Sequence, residues 1–276
     1  MTLISRLHGP APLIMGILNV TPDSFSDGGM FTRPETAVAH ALRMVEEGAD
    51  ILDIGGESTR PGSRRVDAEE QIRRTCGVIR ALRAHVPAKI AISIDTTLPA
   101  VAREALNAGA DLINDIHAGG EPGMIELAAE RRAPIVIMHM QGTPETMQVN
   151  PTYKDVVAEV HEFLMRRAAQ AEKLGLPRDH IVIDPGIGFG KTREHNLALI
   201  QALPRFAASG YPVLLGTSRK RFMGSICNET DPRELIGATC ATTALGVAAG
   251  ARIFRVHDVK PNRQAADLAH ALRVGG

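Results

Sequence analysis

The chain has 276 residues, 44% of them hydrophobic, which is enough to bury the core of a single α/β domain. Its 31 basic and 31 acidic side chains balance, so we expect no nucleic-acid or anionic-membrane partner. Three widely spaced cysteines, Cys76, Cys227 and Cys240, fit neither a disulfide framework nor a zinc motif, and they predict a reducing cytoplasm. No signal peptide and no apolar run of about 18 residues is apparent, so a membrane span is not expected.

Short apolar runs of the β type alternate with longer amphipathic runs along the chain. The predicted strands are 13–20, 51–54, 90–95, 112–116, 135–138, 181–184, 213–217 and 253–256. The predicted helices are 35–47, 68–84, 99–108, 125–131, 156–174, 194–206, 234–249 and 265–274. Eight such βα units favour a single (β/α)8 TIM barrel over residues 1–276 rather than a doubly wound sheet. Glycines that follow predicted helices suit the left-handed residue that ends a helix, at Gly48, Gly109, Gly175, Gly210 and Gly250.

Polar side chains recur where the predicted strands end, and active sites of this fold are built at that end. They are Asn19, Glu57 with Ser58 and Thr59, Asp95, Asn114 with Asp115, His139, Asp184, residues 218–220, and His257. An unpaired polar group costs about 1–3 kcal/mol to bury, so stability explains this recurrence poorly. We therefore expect these groups to converge on a ligand, with the long, Gly/Pro-rich loops 21–34 and 57–66 closing over it.

These strand-end segments together resemble the signatures of the dihydropteroate synthase family. The segments are 15–29, 53–62, 93–96, 113–115, 138–142, 184–191, 218–220 and 255–258. The resemblance covers nearly the whole chain in the family's order. It implies an enzyme that joins 6-hydroxymethyl-7,8-dihydropterin diphosphate to 4-aminobenzoate, releasing pyrophosphate and 7,8-dihydropteroate in folate biosynthesis. It also implies Mg²⁺ as cofactor, a homodimer, and inhibition by sulfonamides, which mimic aminobenzoate.

The candidate pterin site consists of acceptors and donors that match the edge of that heterocycle. Asp184 can accept paired hydrogen bonds from the guanidine-like edge, and Asn114 and Asp95 suit its other nitrogens. The family uses the three matching positions for the pterin. Lys220 is expected to donate to the ring carbonyl or a ring nitrogen. Met138 supplies either an apolar contact or simple core packing.

The candidate diphosphate site lies on the last strand and the first two loops. Arg255 and His257 alternate on one strand and face the same side, so both can reach phosphate, and Arg255 can also stack on the pterin. Thr59 adds a hydroxyl, and the Asn19 carbonyl oxygen suits Mg²⁺. Because the pterin methylene can delocalise positive charge as pyrophosphate leaves, no general base is assigned. The predicted catalytic residues are Lys220, Arg255 and His257.

The candidate aminobenzoate pocket is the part of the site that depends most on loops. Its predicted members are Phe25, Arg60, Pro61, Phe189, Ser218 and Arg221. Arg221 stands where many family members have serine, and either its side chain or its backbone amide can serve the carboxylate. Residues 186–192 look like a phosphate-binding P-loop, but Pro185 occupies the position of a required glycine. Gly188 and Phe189 are therefore assigned to the substrate loop, and Lys191 is expected to be solvated.

Three other functions remain compatible with parts of this pattern. A pterin-binding methyltransferase of the same superfamily would share Asn114 and Asp184, and methyl transfer would reveal it. A Schiff-base aldolase would use Lys220, and borohydride trapping of a carbonyl substrate would reveal it. A non-catalytic pterin-binding module would bind ligand without releasing pyrophosphate.

Overall fold

The computed structural model describes residues 2–20, 34–58 and 65–275. In these ranges the strands are β1 (Leu13–Asn19), β2 (Ile51–Gly55), β3 (Ala91–Asp95), β4 (Leu112–Asp115), β5 (Ile135–Met138), β6 (Ile181–Asp184), β7 (Leu214–Leu215) and β8 (Ile253–Val256). The helices are α1 (Leu3–Leu7), α2 (Pro34–Glu46), α3 (Ala68–His85), α4 (Pro99–Ala108), α5 (Met124–Arg131), α6 (Val156–Lys173), α7 (Arg193–Gln201), α8 (Leu203–Ala207), α9 (Arg221–Cys227), α10 (Ile236–Ala248) and α11 (Val259–Val274).

The strands form one parallel sheet that curls into a barrel. Their order is β6-β5-β4-β3-β2-β1-β8-β7, so neighbours in sequence are neighbours in space. The ring closes between β6 and β7 through a bridge from Ile183 to Val213 and a backbone hydrogen bond of 3.0 Å from the Ile183 N–H to the Pro212 carbonyl. The predicted (β/α)8 TIM barrel is thus confirmed, with helices around the sheet.

Two apolar cores hold this barrel together. One fills the barrel interior with alternate strand residues, among them Met15, Ile51 and Val182, because every second side chain of a strand points inward. Leu7 of α1 is buried in that core, so this short helix covers the N-terminal end of the barrel. The other core packs the outer strand faces against the surrounding helices. No helix in the described ranges is both long and apolar enough to cross a membrane.

Several helix boundaries differ from the predicted ones, each with a local cause. The predicted helix 194–206 is interrupted at Ala202, because Pro204 in the next turn has no N–H to continue the ladder and instead lies in the first turn of α8. The last helix starts at Val259, six residues before the predicted start at 265; Pro261 is tolerated there because a first-turn N–H needs no intrahelical partner. The five glycines predicted to end helices all have positive φ.

Candidate active site

The strand register brings the predicted polar residues to one level of the barrel interior. Asn19 pairs with Gly55, Gly55 with Asp95, and Asp95 with Asn114 across four neighbouring strands. On the far side of the barrel, the end of β5 is level with Asp184 at the end of β6. Because these positions share the inward phase of their strands, their side chains converge at the C-terminal end of the barrel, as predicted.

Arg255 lies between two carboxylates at this level. Its Nε donates to Asp53 Oδ2 at 2.6 Å, and its Nη2 donates to Asp95 Oδ2 at 2.7 Å. Asn114 Nδ2 also donates to Asp53 Oδ2, at 3.0 Å. Asp53 is wholly buried, and its Oδ1 has no hydrogen-bond partner within the described chain. The guanidinium is therefore fixed in place by charge-assisted bonds before any ligand arrives.

Asp53 received no role from the sequence, although it lies within a segment that resembles the family. The available signal was its phase: it stands two residues before Gly55 and therefore faces the barrel interior. A carboxylate facing an apolar barrel interior requires a cation or several donors. The sequence contained that requirement but did not identify Arg255, more than 200 residues away, as the partner.

Burial controls the protonation of these groups. It raises the pKa of Asp95 to about 7, although the Arg255 guanidinium opposes the shift. Burial alone lowers the pKa of Arg255, but the carboxylates of Asp53 and Asp95 outweigh it and the net shift is upward. A cavity of about 250 Å³ opens beside Asp95, lined also by Thr96, Ile116 and other residues. The site therefore has a permanent cation next to a carboxyl group that titrates near neutrality.

Asp184 and Lys220 form the opposite wall. The Asp184 Oδ1 accepts the Gly186 N–H at 2.6 Å, while Lys220 Nζ donates to the Ile187 carbonyl and lies 4.4 Å from the centroid of the Phe189 ring. Burial raises the pKa of Asp184, with Lys220 opposing the shift. Burial lowers the pKa of Lys220 to about 7, against the effect of Asp184. An acceptor, Asp184, and a donor, Lys220, thus lie within electrostatic range of each other at this end of the barrel.

The prediction that Lys191 is solvated is wrong. Its side chain is buried, and Nζ lies 3.0 Å from His139 Nδ1, 2.9 Å from the Phe189 carbonyl and 3.3 Å from the His139 carbonyl. The chain turns inward at Gly190, where φ is +64°, and this turn directs Lys191 toward the end of β5. His139 is consequently engaged by Lys191, and burial lowers its pKa to about 3.

The turn after β7 connects with the end of β8. Ser218 Oγ lies 3.0 Å from His257 Nδ1 and accepts the His257 N–H at 3.1 Å. Arg219, between Ser218 and Lys220, pairs with Asp258 at 2.7 Å. Arg221 is exposed and is the first residue of α9. The structure thus brings Ser218 and His257 together at this turn.

Other strand-end carboxylates serve the protein's own turns. Glu57 accepts the Val66 N–H at 2.8 Å and the Gln71 amide at 3.1 Å. Asp115 accepts the N–H groups of His117 and Gly119 at 2.8 and 2.7 Å. The expectation that all strand-end polar groups converge on a ligand is therefore too broad for Asp115, whereas Glu57 also lines the cavity beside Asp95.

Asn19 and Met138 line the site from two further strands. Gly55 separates Asn19 from Asp95: a Cβ at Gly55 would lie 3.6 Å from Asn19 Oδ1 and 3.7 Å from Asp95 Oδ2. The Asn19 side chain is half-buried. Met138 is buried and packs beneath Gly186. The predicted residues outside the described ranges are Phe25, Thr59, Arg60 and Pro61.

Comparison with known proteins agrees with this geometry. Residues 15–257 match the family of pterin binding enzymes. The dihydropteroate synthase of Synechocystis sp. is 47% identical over 265 residues, which cover 96% of this chain and 91% of that protein. That of Escherichia coli K12 is 44% identical over 260 residues, 94% of this chain and 91% of that protein. The chain belongs to the dihydropteroate synthase family.

Solved structures of dihydropteroate synthases share the fold of this chain. The Xanthomonas albilineans enzyme with 4-aminobenzoic acid has a TM-score of 0.90 and 46% identity, covering 95% of this chain and 93% of that one. The same enzyme with 7,8-dihydropteroate has a TM-score of 0.86 and 43% identity, covering 95% of this chain and 94% of that one. The Yersinia pestis enzyme in a sulfonamide complex has a TM-score of 0.90 and 40% identity, covering 99% of this chain and 96% of that one. The family resemblance seen in the sequence is confirmed, and this chain is an enzyme of folate biosynthesis that transfers a pterin-methyl group.

Proposed function

We propose that the chain condenses 6-hydroxymethyl-7,8-dihydropterin diphosphate with 4-aminobenzoate through the residues at this end of the barrel. The main support is the convergence of acceptor and donor groups around one space: Asp95, Asn114, Asp184, Lys220 and Arg255. The 4-aminobenzoic acid and 7,8-dihydropteroate found in the Xanthomonas albilineans enzyme are this reaction's substrate and product.

Asp184 is the proposed anchor of the pterin. The Gly186 N–H donates to Asp184 Oδ1 at 2.6 Å, which restricts the rotation of the carboxylate. A guanidine-like edge offers two N–H groups side by side, which suits a carboxylate of fixed orientation. Lys220 is proposed to exchange the Ile187 carbonyl for the pterin ring. Met138 provides the apolar floor.

The diphosphate is proposed to leave toward Arg255 and His257. Nε and Nη2 of Arg255 are held by Asp53 and Asp95, so no reorganisation of the cation is needed as negative charge develops. Ser218 fixes the His257 ring through Nδ1. The arylamine is neutral and nucleophilic at pH 7, so these residues orient the leaving group rather than remove a proton.

Mg²⁺ is proposed to bind at Asn19. The described residues contain no cluster of three His, Cys, Asp or Glu side chains able to hold a metal. The Asn19 carboxamide, half-buried across Gly55 from Asp95, fits an ion that takes one protein oxygen and fills its shell with water and substrate phosphate. When bound, the ion would neutralise charge on the diphosphate.

The proposed aminobenzoate pocket lies between Phe189, Ser218 and the start of α9. The Phe189 ring stands against the Lys220 ammonium, next to the pterin position, and Arg221 begins α9 nearby in sequence. Sulfonamides are proposed to compete with aminobenzoate here, as the sulfonamide complex of the Yersinia pestis enzyme suggests.

A homodimer in the cytoplasm is the proposed state of the enzyme. Helix α11 exposes Leu268, Leu272 and Val274, and the adjoining α10 exposes Leu245, each by more than 60% of its surface. Such apolar side chains favour burial against a second copy. The cytoplasmic assignment is supported by Cys76, Cys227 and Cys240, which are all free thiols.

The deciding experiment measures pyrophosphate release and dihydropteroate formation with both substrates and Mg²⁺. Asp184→Asn and Lys220→Met are compared with Lys154→Met, which alters an exposed lysine. Matched product formation that is lost in the two site variants and kept in the control supports the proposal. Pterin binding without turnover by the unaltered protein would favour a binding module instead.

A further inference from the structure

The loop that joins β6 to α7 is held by side chains from several parts of the chain. Four consecutive carbonyl groups each accept a hydrogen bond from a side chain. The pairs are Ile187 with Lys220, Gly188 with Gln148 at 2.9 Å, Phe189 with Lys191 at 2.9 Å, and Gly190 with Tyr153 at 2.7 Å. A loop with its carbonyls fixed in this way has little freedom to shift.

Lys191 has the most unusual environment of these donors. Its side chain is 3% exposed, and burial lowers its pKa to about 7, although the Asp184 carboxylate opposes the shift. Burying an ammonium group is costly, and a methionine would fill the same space without that cost. The advantage of lysine here lies in its donors, which join the Phe189 carbonyl to the side chain and carbonyl of His139.

Lys191 thereby connects the β6–α7 loop to the end of β5, and these two segments are closely packed. Gly186 has a φ of +69°, and a Cβ there would stand 1.9 Å from the His139 carbonyl oxygen. The His139 ring packs edge-on against Phe163, with centroids 4.9 Å apart. The end of β5 is therefore a fixed support, and Lys191 attaches the next loop to it.

The same loop carries the surface on which Lys220 lies. A Cβ at Gly188, where φ is +82°, would be 2.8 Å from Lys220 Cδ, so the lysine stem crosses the bare glycine backbone. The Lys220 ammonium lies 4.4 Å from the centroid of the Phe189 ring. Any displacement of residues 187–189 therefore moves the ammonium that is proposed to meet the pterin.

We propose that Lys191 is a positioning residue: it fixes the β6–α7 loop to His139 and so sets the place of the Lys220 ammonium and the Phe189 ring for substrate binding. Lys191 acts through these two residues and does not itself contact substrate. This inference rests on the proposed function, because it assigns Lys220 and Phe189 to the pterin and aminobenzoate sites.

The test compares Lys191→Met, which keeps most of the stem and removes the donors, with the exposed control Lys154→Met. We expect Lys191→Met to raise the KM for the pterin diphosphate about tenfold, the size of one lost hydrogen bond, with kcat changed less than about threefold. Amide hydrogen exchange in residues 186–190 should quicken in the substrate-free variant, while the control matches the unaltered protein in both measurements. An unchanged KM together with unchanged exchange overturns the proposal.

A purely structural lysine would behave differently, since its loss would lower the melting temperature and the active fraction without raising KM. Should Lys191→Met fail to fold, Tyr153→Phe removes the hydroxyl that donates to the Gly190 carbonyl of the same loop, and we expect the same changes at smaller size. An unaltered KM and exchange rate in Tyr153→Phe would then count against the positioning role. Absence of turnover in the unaltered protein would refute the proposed function, and the exchange measurement would still decide whether Lys191 holds the loop.

Discussion

Asp53 determines the charge arrangement at the centre of the site. Its Oδ2 accepts both Arg255 and Asn114, and its carboxylate is wholly buried. Removing one charge from a buried, hydrogen-bonded pair leaves the other poorly compensated. Arg255 would then depend on Asp95 alone, a group whose pKa is raised to about 7 by burial.

We therefore predict that Asp53→Asn lowers kcat/KM by about 10- to 100-fold, the loss of a hydrogen bond to a charged group. Steady-state kinetics with varied pterin diphosphate measure it. The matched control is Asp231→Asn, which changes a carboxylate that pairs with the exposed Arg233. Equal kcat/KM in Asp53→Asn and the control would show that Arg255 keeps its place without this partner.

The lowered pKa of Lys220 predicts that kcat/KM depends on pH. Burial lowers the pKa of its ammonium from the usual lysine range to about 7, so the substrate-free enzyme loses this charge as the pH rises through neutrality. We expect kcat/KM for the pterin diphosphate to fall on the alkaline side of pH 7. In the bound complex the substrate's negative charge favours the ammonium, so the alkaline fall of kcat should lie at higher pH. Lys220→Arg stays charged and should lack the alkaline fall in kcat/KM; its persistence there would assign the titration to another group.

At the residue scale, the sequence predicted which groups face the site better than it predicted their partners. Asp95, Asn114 and Asp184 were predicted to lie at the C-terminal end of the barrel because each stands where an apolar run ends, which is a local property of the sequence. The ion pair between Arg255 and Asp53 and the burial of Lys191 against His139 were not predicted. Both depend on contacts between distant parts of the chain, which periodicity does not encode.

At the scale of single elements, the β6–α7 loop shows how backbone geometry restricts sequence. Gly186 has positive φ, and a Cβ would lie 1.9 Å from the His139 carbonyl oxygen. We predict that Gly186→Ala lowers the free energy of unfolding by about 1–3 kcal/mol through strain and overpacking, as measured by urea titration. Gly77→Ala is the matched control: it lies within α3 with open space around it and should stabilise by about 0.5–1 kcal/mol. Equal stability of the two variants would contradict this account.

The elements were predictable where hydrophobic periodicity was strong. All eight strands lie where apolar runs predicted them, although β7 is only two residues long. The interruption at Ala202 and the early start of α11 were missed because proline has opposite effects within a helix and in its first turn. Helix α9 was missed because its seven residues are too few to show a periodic pattern.

At the scale of the whole molecule, the exposed apolar residues of α11 predict self-association. Leu268 and Leu272 lie one helical turn apart and are 65% and 74% exposed. We expect the double variant Leu268→Glu with Leu272→Glu to sediment as a monomer while the unaltered chain sediments as a dimer, because two carboxylates cannot be buried in an apolar contact. Glu126→Gln with Glu130→Gln, on another helix, serves as the surface control. A double variant that remains a dimer would place the contact elsewhere.

The weak closure between β6 and β7 gives the substrate a mechanical part in the fold. Asp184 ends β6 and Lys220 follows β7, so the two proposed pterin contacts stand on opposite sides of the barrel's seam. A bound pterin would connect β6 and β7 through these two side chains, adding noncovalent contacts where few backbone hydrogen bonds join the strands. Ligand binding would then increase the rigidity of the barrel. Without ligand, the barrel would separate most easily between β6 and β7.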